Sequence, residues 1–381
     1  MGKSLSAGRL FRRPIDPAEI DARPEPAAGV RAIAPARSHP APKPSLTFEQ
    51  EINRKAYPQV MRVDPRLRRW LTGPASDPSV RWRYWTEVEG CSPRDPRVRT
   101  AQRAIGRTGW AAKLLANQFP DGHWVTPGST ARELYRPKYI VTNWRAIVLS
   151  DLGMDGRDPR IRRMAELILK RWSARGGDLT GSSGEVCVTG NAVRTLVRFG
   201  FIDHPAVQRS IDWIVRTQKP DGGWHCFPSR TGTLDGWEGL AAFAEIPERS
   251  QNQSVRRAIE RGAEFYLGRH LMDEGRGRYP PWYRIHYPNH YYYDVLVGLR
   301  ILSRLGYASD PRMARALRWL RGKRRTDGTW MLDADHPDLD PGHGGYRVAG
   351  PIYPLRLEPP NEPSRWATVE ALSVLTRAGE A

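Results

Sequence analysis

Three stretches of the chain end in the same four-residue pattern, Asp-Gly-x-Trp. They read "NQFPDGHW" at Asn117–Trp124, "TQKPDGGW" at Thr217–Trp224 and "RRTDGTW" at Arg324–Trp330. Each follows an amphipathic segment of helical period. The Gly permits a positive φ angle, and the Trp offers a broad plane that can wedge between neighbouring helices. We expect the Asp to cap the amides of a neighbouring helix. The pattern therefore predicts a fastening turn that joins repeated helical units.

The amphipathic helices have a recurring start signal. Most begin with an acidic or polar residue followed by Pro, as in "RDPRIRRMAELI". A side-chain N-cap with Pro at the first helical position is typical of helix starts. The starts lie about fifty residues apart, a period typical of repeat proteins. These starts are Pro96, Pro159, Pro205, Ser254 and Pro311.

A second, more apolar kind of helix alternates with the first. Its five copies are "YIVTNWRAIVLSDLG", "CVTGNAVRTLVRFG", "TLDGWEGLAAFAEI", "YYDVLVGLRILSRLG" and "SRWATVEALSVLTRAG". Four of the five end in Gly, as a C-cap would. A helix that is apolar on most sides is packed on most sides. Five such pairs must stack, either as an open solenoid or as a closed ring of inner helices wrapped by outer ones, and the Asp-Gly-x-Trp turns favour the ring. The predicted fold class is all-α, an α/α toroid.

The N-terminal segment differs in composition from the rest. Residues 1–45 are rich in Pro, Ala and Arg, which predicts a disordered tail before a single domain at 46–381. Between Leu46 and Gly90, "TFEQEINRKAY", "DPRLRRWLT" and "DPSVRWRYWTEV" predict short helices. We expect these helices to supply the closing pieces of the ring.

Composition limits the partners and the compartment. The chain has 381 residues, a net charge of +19 and three cysteines. It has no apolar run long enough to span a membrane, no secretory leader is apparent, and three cysteines suit a reducing cytoplasm. The arginines are scattered along helices, so solvated helix faces are the simplest interpretation of the charge. Contact of the basic tail with an anionic membrane surface stays open, whereas nucleic-acid binding lacks a recognition motif.

Two of the turns carry a further match. Gln118-x-x-Asp121-Gly122-x-Trp124 and the copy at Gln218 resemble the QW repeats of squalene–hopene cyclases and protein prenyltransferase β-subunits; Arg324 replaces the Gln in the third copy. The resemblance spans about Arg94 to the C-terminus. It implies an α/α toroid whose central cavity handles isoprenoid chains, without fixing a reaction.

The resemblance to this family raises the question of which residues could act as catalytic acids. Class II terpene cyclases of this family protonate an alkene with an Asp-x-Asp-Asp motif, and no such motif occurs here. Asp235 and Asp294 stand near the heads of predicted inner helices, where a cavity residue would lie. Each is a candidate catalytic acid, and each is also a candidate helix N-cap.

The resemblance also implies zinc. Protein prenyltransferases bind it through Asp-x-Cys at the head of one inner helix and a His at another, and Glu185-Val186-Cys187 stands at the corresponding place. Cys226 lies in the next loop, with His290 or His225 as a further candidate ligand. Thiolate, imidazole and carboxylate are zinc ligands; a buried free Cys is equally an ordinary core residue.

The sequence as a whole indicates a terpenoid cyclase- or prenyltransferase-like enzyme that acts on a polyprenyl or other hydrophobic substrate. A non-catalytic toroid that binds a lipid or a protein is the main alternative. A glycosidase is another, which would require two carboxylates facing each other across the cavity.

Overall fold

The computed structural model describes residues 63–125, 134–136, 138–174, 185–275, 278–290, 292–334 and 356–380. These residues belong to one unit, Phe48–Ala381, and most of them are helical. The predicted tail at 1–45 and the predicted helix at "TFEQEINRKAY" lie outside the described residues.

The helices alternate between apolar and amphipathic kinds, as predicted. They are α1 Pro65–Thr72, α2 Pro78–Arg83 with a π-helical turn Tyr84–Val88, α3 Pro96–Ile105, α4 Gly109–Leu115, α5 Thr142–Asp151, α6 Pro159–Ala174, α7 Val186–Arg198, α8 Pro205–Thr217, α9 Glu238–Phe243, α10 Gln253–Gly268, α11 Val295–Arg304, α12 Ala314–Gly322 and α13 Arg365–Arg377. Single 3₁₀ turns occur at Leu234–Gly236, Glu248–Ser250, Pro280–Tyr283 and Pro311–Met313. Two short strands, β1 Trp330–Met331 and β2 Pro363–Ser364, pair antiparallel.

Side-chain caps begin the amphipathic helices. Asp95 and Asp158 accept hydrogen bonds from the amides of Arg97 and Arg160, at 2.8 and 2.9 Å. At α8 the imidazole of His204 accepts the capping hydrogen bond from the amide of Ala206. Each cap satisfies an amide that the helix itself leaves unpaired. The predicted starts at Pro96, Pro159 and Pro205 are confirmed; α10 begins at Gln253, one residue before the predicted Ser254, and Pro311 begins a 3₁₀ turn that leads into α12.

The first amphipathic element differs from the prediction of one helix up to the first Asp-Gly-x-Trp turn. It is broken into α3 and α4. Gly109 has φ +74°, and a Cβ there would lie 2.2 Å from the carboxylate of Asp77. That carboxylate accepts a hydrogen bond from the amide of Trp110 at 2.7 Å. The chain turns here because an acceptor from α2 occupies the space that a side chain would need.

The three Asp-Gly-x-Trp turns share one geometry. Trp124, Trp224 and Trp330 are at most 2% exposed. Each indole N–H donates to the carbonyl oxygen ten residues earlier, at 2.8–2.9 Å. Each central Gly has a positive φ, between 83° and 95°. The prediction that these tryptophans are buried wedges is confirmed.

In the first two turns the glutamine, rather than the aspartate, joins the turn to the next amphipathic helix. The Gln218 amide donates to the carbonyl oxygens of Gly222, in its own turn, and Ala258, on the following amphipathic helix α10. Asp221 and Asp327 instead accept hydrogen bonds from amides of their own turns. The expectation that the Asp caps a neighbouring helix is therefore wrong. Asp221 also accepts hydrogen bonds from the amide of Gly232 and from the guanidinium of Arg269, but only the Gln amide reaches a backbone carbonyl oxygen within the following amphipathic helix.

Six apolar helices form the inner set: α2, α5, α7, α9, α11 and α13. Their side chains are almost entirely buried. The closest approach is between α7 and α9, where a Cβ on Gly190 would lie 2.5 Å from the Glu238 carbonyl oxygen. Gly at this position allows the two backbones to touch.

Buried ion pairs connect the inner helices in a circuit. Its members lie mostly near the helix C-termini: Arg83, Glu87, Asp151, Arg194, Arg198, Glu245, Arg300, Arg304, Glu370 and Arg377. From α5 the pairs run through α7, the end of α9, α11 and α13 to α2. Arg83 on α2 then donates to the carbonyl oxygen of Asp151 on α5 at 2.7 Å, which completes the circuit. We name this set the ion circuit.

We expect Trp224→Ala to lower the free energy of unfolding by about 3–5 kcal/mol, the usual cost of removing a fully buried large aromatic side chain. Urea denaturation measures the change. Phe227→Ala is the control, because Phe227 is 51% exposed and surface changes usually stay within about 0.5 kcal/mol. Equal stability of the two variants would contradict the wedge.

Candidate functional site

The head of α9 carries the candidate acid Asp235. It lies in the 3₁₀ turn Leu234–Gly236, whose first residues are ordered by the Thr233 cap. The Asp235 carboxylate accepts a hydrogen bond from the indole N–H of Trp282 at 3.0 Å. Burial raises the pKa of Asp235 to about 6 despite that bond. A carboxyl of this kind exchanges its proton near neutral pH.

A second carboxyl, Glu238, follows one turn later. It is fully buried. Neither of its carboxylate oxygens has a hydrogen-bond partner among the described residues, apart from its own backbone amide. Burial raises the pKa of Glu238 well above its usual range, and the thiol of Cys187 adds to the shift. Burial therefore favours the protonated form of Glu238 more than that of an ordinary glutamate.

Aromatic rings stand around these two carboxyls. The rings of Trp282 and Tyr293 meet edge to face at 5.8 Å, and Tyr266 lies 6.1 Å from Tyr293. Trp237, between the two acids in sequence, is fully buried under the guanidinium of Arg194. Electron-rich ring faces attract cations. The head of α9 thus combines proton donors with groups that favour positive charge.

The predicted metal ligands at the head of α7 are partly brought together. The Cys187 thiol lies 3.6 Å from a carboxylate oxygen of Glu185. A hydrogen bond with Cys226, together with burial, raises the pKa of Cys187 well above its usual range. Cys187 is therefore a thiol at neutral pH in this structure. The two cysteines and Glu185 are neighbours, as the sequence predicts.

The predicted histidine ligand has a different environment. The ring of His290 stacks on Tyr139 with centroids 4.9 Å apart and meets the edge of Trp144 at 5.2 Å. Burial lowers its pKa to about 3, so the imidazole is neutral. Its carbonyl oxygen accepts a hydrogen bond from Asn191 on α7. His225, the alternative, accepts a hydrogen bond from the amide of Phe227.

Within the described ranges, no three or more His, Cys, Asp and Glu side chains are grouped so that they could hold a metal ion. The residues present do not form a complete zinc site there, and we derive no chemistry through a metal. Zinc binding stays a prediction.

Asp294, the other candidate acid, caps α11. Its carboxylate accepts a hydrogen bond from the amide of Val297 at 2.8 Å. The other carboxylate oxygen accepts from the amide of His286 and from Asn289, and it lies 3.1 Å from the imidazole Nδ1 of His286. These contacts fit the helix-cap role that the sequence also allowed. Between the two predicted acids, the geometry favours Asp235.

A cavity of about 750 Å³ lies at the opposite, C-terminal ends of the inner helices. Its wall holds three carboxylates and seven arginines: Glu87, Asp155 and Glu245, with Arg83, Arg94, Arg99, Arg103, Arg157, Arg198 and Arg304. Part of the ion circuit forms its floor. We name it the arginine cavity.

Comparison with known proteins gives distant likenesses of structure. No protein-family model and no curated protein matches the chain. A crystal structure of a protein from Actinoplanes is 16% identical, over 81% of this chain and 92% of the other, with a TM-score of 0.38. The type II terpene cyclase MstE from Scytonema is 16% identical over 81% and 90%, with a TM-score of 0.42. A variant of that cyclase in complex with geranylgeranyl dihydroxybenzoate is 17% identical over 70% and 94%, at 0.28. Values this low assign neither fold nor activity to this chain.

None of the described helices is both long and apolar enough to cross a membrane.

Sequence reasoning missed Glu238 and the ion circuit. Glu238 has a signal, since it is the acidic residue inside the apolar stretch "GWEGLAAFA". The ion circuit also has a signal in the sequence, since arginines recur four residues apart in apolar helices, as in "VRTLVRFG" and "LRILSRLG". In both cases a charge on an otherwise buried helix is the indication.

The raised pKa of Asp235 predicts a specific pH dependence of stability. Between its usual value of 3.8 and about 6, the folded chain keeps a proton that the unfolded chain has lost. The free energy of unfolding should therefore fall by roughly 2–3 kcal/mol as pH rises through this window. Urea titrations at several pH values should show that Asp235→Asn makes this decline shallower, whereas Asp212→Asn, at an exposed site on α8, leaves it unchanged. An unchanged slope in Asp235→Asn would contradict the burial of this acid.

Proposed function

We propose that the chain is a terpenoid cyclase-like enzyme that acts on an isoprenoid or other hydrophobic substrate. We further propose that its inner helices close into an α/α toroid. The observation that carries the proposal is the buried carboxyl of Glu238, which has a raised pKa and, among the described residues, no hydrogen-bond partner besides its own backbone amide. The ion circuit supports the ring closure, because it returns from α13 through α2 to α5.

Glu238 is assigned as the proton donor. An alkene is a weak base, so a donor must still hold its proton at neutral pH and must be shielded from water. Glu238 fulfils both conditions, since it is fully buried and its pKa is raised. Asp235 is assigned as its partner. The charge of Asp235 raises the pKa of Glu238, so the two carboxyls at one helix head keep different protonation states.

In the proposed reaction, the substrate gains one proton from a general acid and loses one proton to a base. The Glu238 proton adds to one carbon of a C=C bond and leaves a carbocation, which the faces of Trp282, Tyr293 and Trp237 stabilise. The cation forms a ring through a second C=C bond and ends by losing a proton to a base such as ionised Asp235. Solvent then restores the Glu238 proton. Substrate and product have the same composition.

Deuterium provides a direct test of the activity. We expect incubation with farnesyl or geranylgeranyl diphosphate, or with the parent alcohols, to give isomeric cyclic products by gas chromatography and mass spectrometry. In D₂O each product should be one mass unit heavier, because a deuteron is added and a proton is lost. Unchanged substrate across these chain lengths would leave a binding toroid as the better interpretation.

Glu238→Gln tests the assigned donor. Gln has nearly the same shape as neutral Glu, so we expect folding to be preserved while turnover falls by at least about 10²-fold, the usual contribution of a general acid. Glu248→Gln is the matched control, because Glu248 lies in an exposed 3₁₀ turn. Equal turnover in the Glu238→Gln variant and the wild type would eliminate Glu238 as the acid.

The predicted zinc site has a separate test. Elemental analysis of protein purified without chelators should show zinc in the wild type, and Cys187→Ser and Cys226→Ser should lose it. Cys91→Ser is the control, because Cys91 lies elsewhere, with its sulfur 3.2 Å from the Arg97 guanidinium. A wild type with no metal above background would dismiss the zinc prediction, and the proton-transfer proposal does not depend on it.

A further inference from the structure

The arginine cavity is built from charged groups at the end of the molecule that the proposed chemistry does not use. Its volume of about 750 Å³ lies within the range of small-molecule sites, about 300–1,000 Å³. Arg83, Arg198 and Arg304 reach its floor from three different inner helices. Arg94, Arg99 and Arg103 reach its wall from α3 and the loop before it. Six arginines from four parts of the chain therefore converge on one space.

The ion circuit beneath the cavity has more cations than anions. Six arginines share four carboxylates. Glu245 pairs with both Arg198 and Arg304, at 2.7 and 2.9 Å, and the other three carboxylates are likewise shared between two arginines each. Each of the four carboxylates is thus already paired with two arginines.

The arginines lower the pKa values of Glu245 and Asp151. Burial opposes the ionisation of Glu245, but the charges of Arg198 and Arg304 outweigh it and lower its pKa to about 2. Burial also opposes the ionisation of Asp151, but the charges of Arg194 and Arg198 outweigh it and hold the pKa of Asp151 well below the usual range. With six arginines for four carboxylates, the circuit is short of negative charge.

The ends of the inner helices offset part of this excess, since each helix C-terminus carries about half a negative charge. They do not offset the positive charge of the arginines in the cavity wall. Arg94, Arg99 and Arg103 form no ion pair with any residue in the described part of the chain, and Arg99 and Arg103 lie four residues apart on one face of α3. Three unpaired guanidinium groups facing one cavity create a positive potential there.

We propose that the arginine cavity binds a compact polyanion of the diphosphate class. Guanidinium groups pair with phosphate oxygens through two parallel N–H···O bonds. A diphosphate carries two or three negative charges, which matches several arginines better than a single carboxylate does. The cavity also has room for an organic group attached to the diphosphate. This inference does not involve Glu238 or Asp235, which do not line the cavity.

Calorimetric titration with inorganic pyrophosphate tests the site. We expect saturable binding of one pyrophosphate per chain that weakens with added salt. The double variant Arg99→Ala/Arg103→Ala should weaken binding by about tenfold or more, since each lost contact is a charge-assisted hydrogen bond. Arg256→Ala/Arg257→Ala removes the same charge from exposed positions on α10, and it should bind pyrophosphate as the wild type does.

Further titrations identify which kind of diphosphate the cavity binds. They also test this binding separately from the proposed catalytic activity. Tighter binding of farnesyl diphosphate than of pyrophosphate would assign the cavity to an organic diphosphate; equal binding would assign it to the free anion. Glu238→Gln should bind pyrophosphate normally even if it is inactive. Absence of saturable binding in the wild type, or equal weakening in both double variants, would overturn the proposal.

Discussion

The buried ion circuit is the constraint on which the inner helices depend. Every inner helix contributes at least one charge, and each carboxylate is held between two arginines. A buried pair of this kind adds little net stability compared with apolar packing, but breaking it leaves an uncompensated charge that costs about 3–5 kcal/mol. The circuit therefore fixes which helices are neighbours and in which register they lie. It makes other arrangements of equally apolar helices costly.

The two ends of the inner helices consequently have opposite characters. At the C-terminal ends, arginines lower the pKa values of Glu245 and Asp151. At the head of α9, burial outweighs the charge of Arg194 and raises the pKa of Glu238. The pKa values of carboxyl groups at the two ends are thus shifted in opposite directions, according to whether burial or guanidinium charge has the larger effect. The proposed proton donation at one end and the proposed anion binding at the other both rest on this separation.

The outer layer is stabilised by a different device. Each Asp-Gly-x-Trp turn buries an indole and bonds its N–H to a carbonyl oxygen ten residues earlier, while Gln118 and Gln218 reach the following unit. In the third copy the guanidinium of Arg324 instead lies 5.6 Å from the Trp330 ring. The turn and the buried tryptophan depend on contacts within about ten residues of the chain, so the third copy keeps both without the glutamine.

The sequence by itself determined the helices, their alternation and the buried tryptophans, because period, caps and Gly positions act within a few residues of the chain. It also placed Cys187 near Cys226 and Asp235 at a helix head. Only the tertiary structure decided that Glu238 is buried without a side-chain partner among the described residues, that Asp294 is engaged as a cap, and that arginines from four inner helices share four carboxylates. Those outcomes depend on contacts between residues as far apart as Glu87 and Arg377, and local pattern carries no information about which distant charges meet.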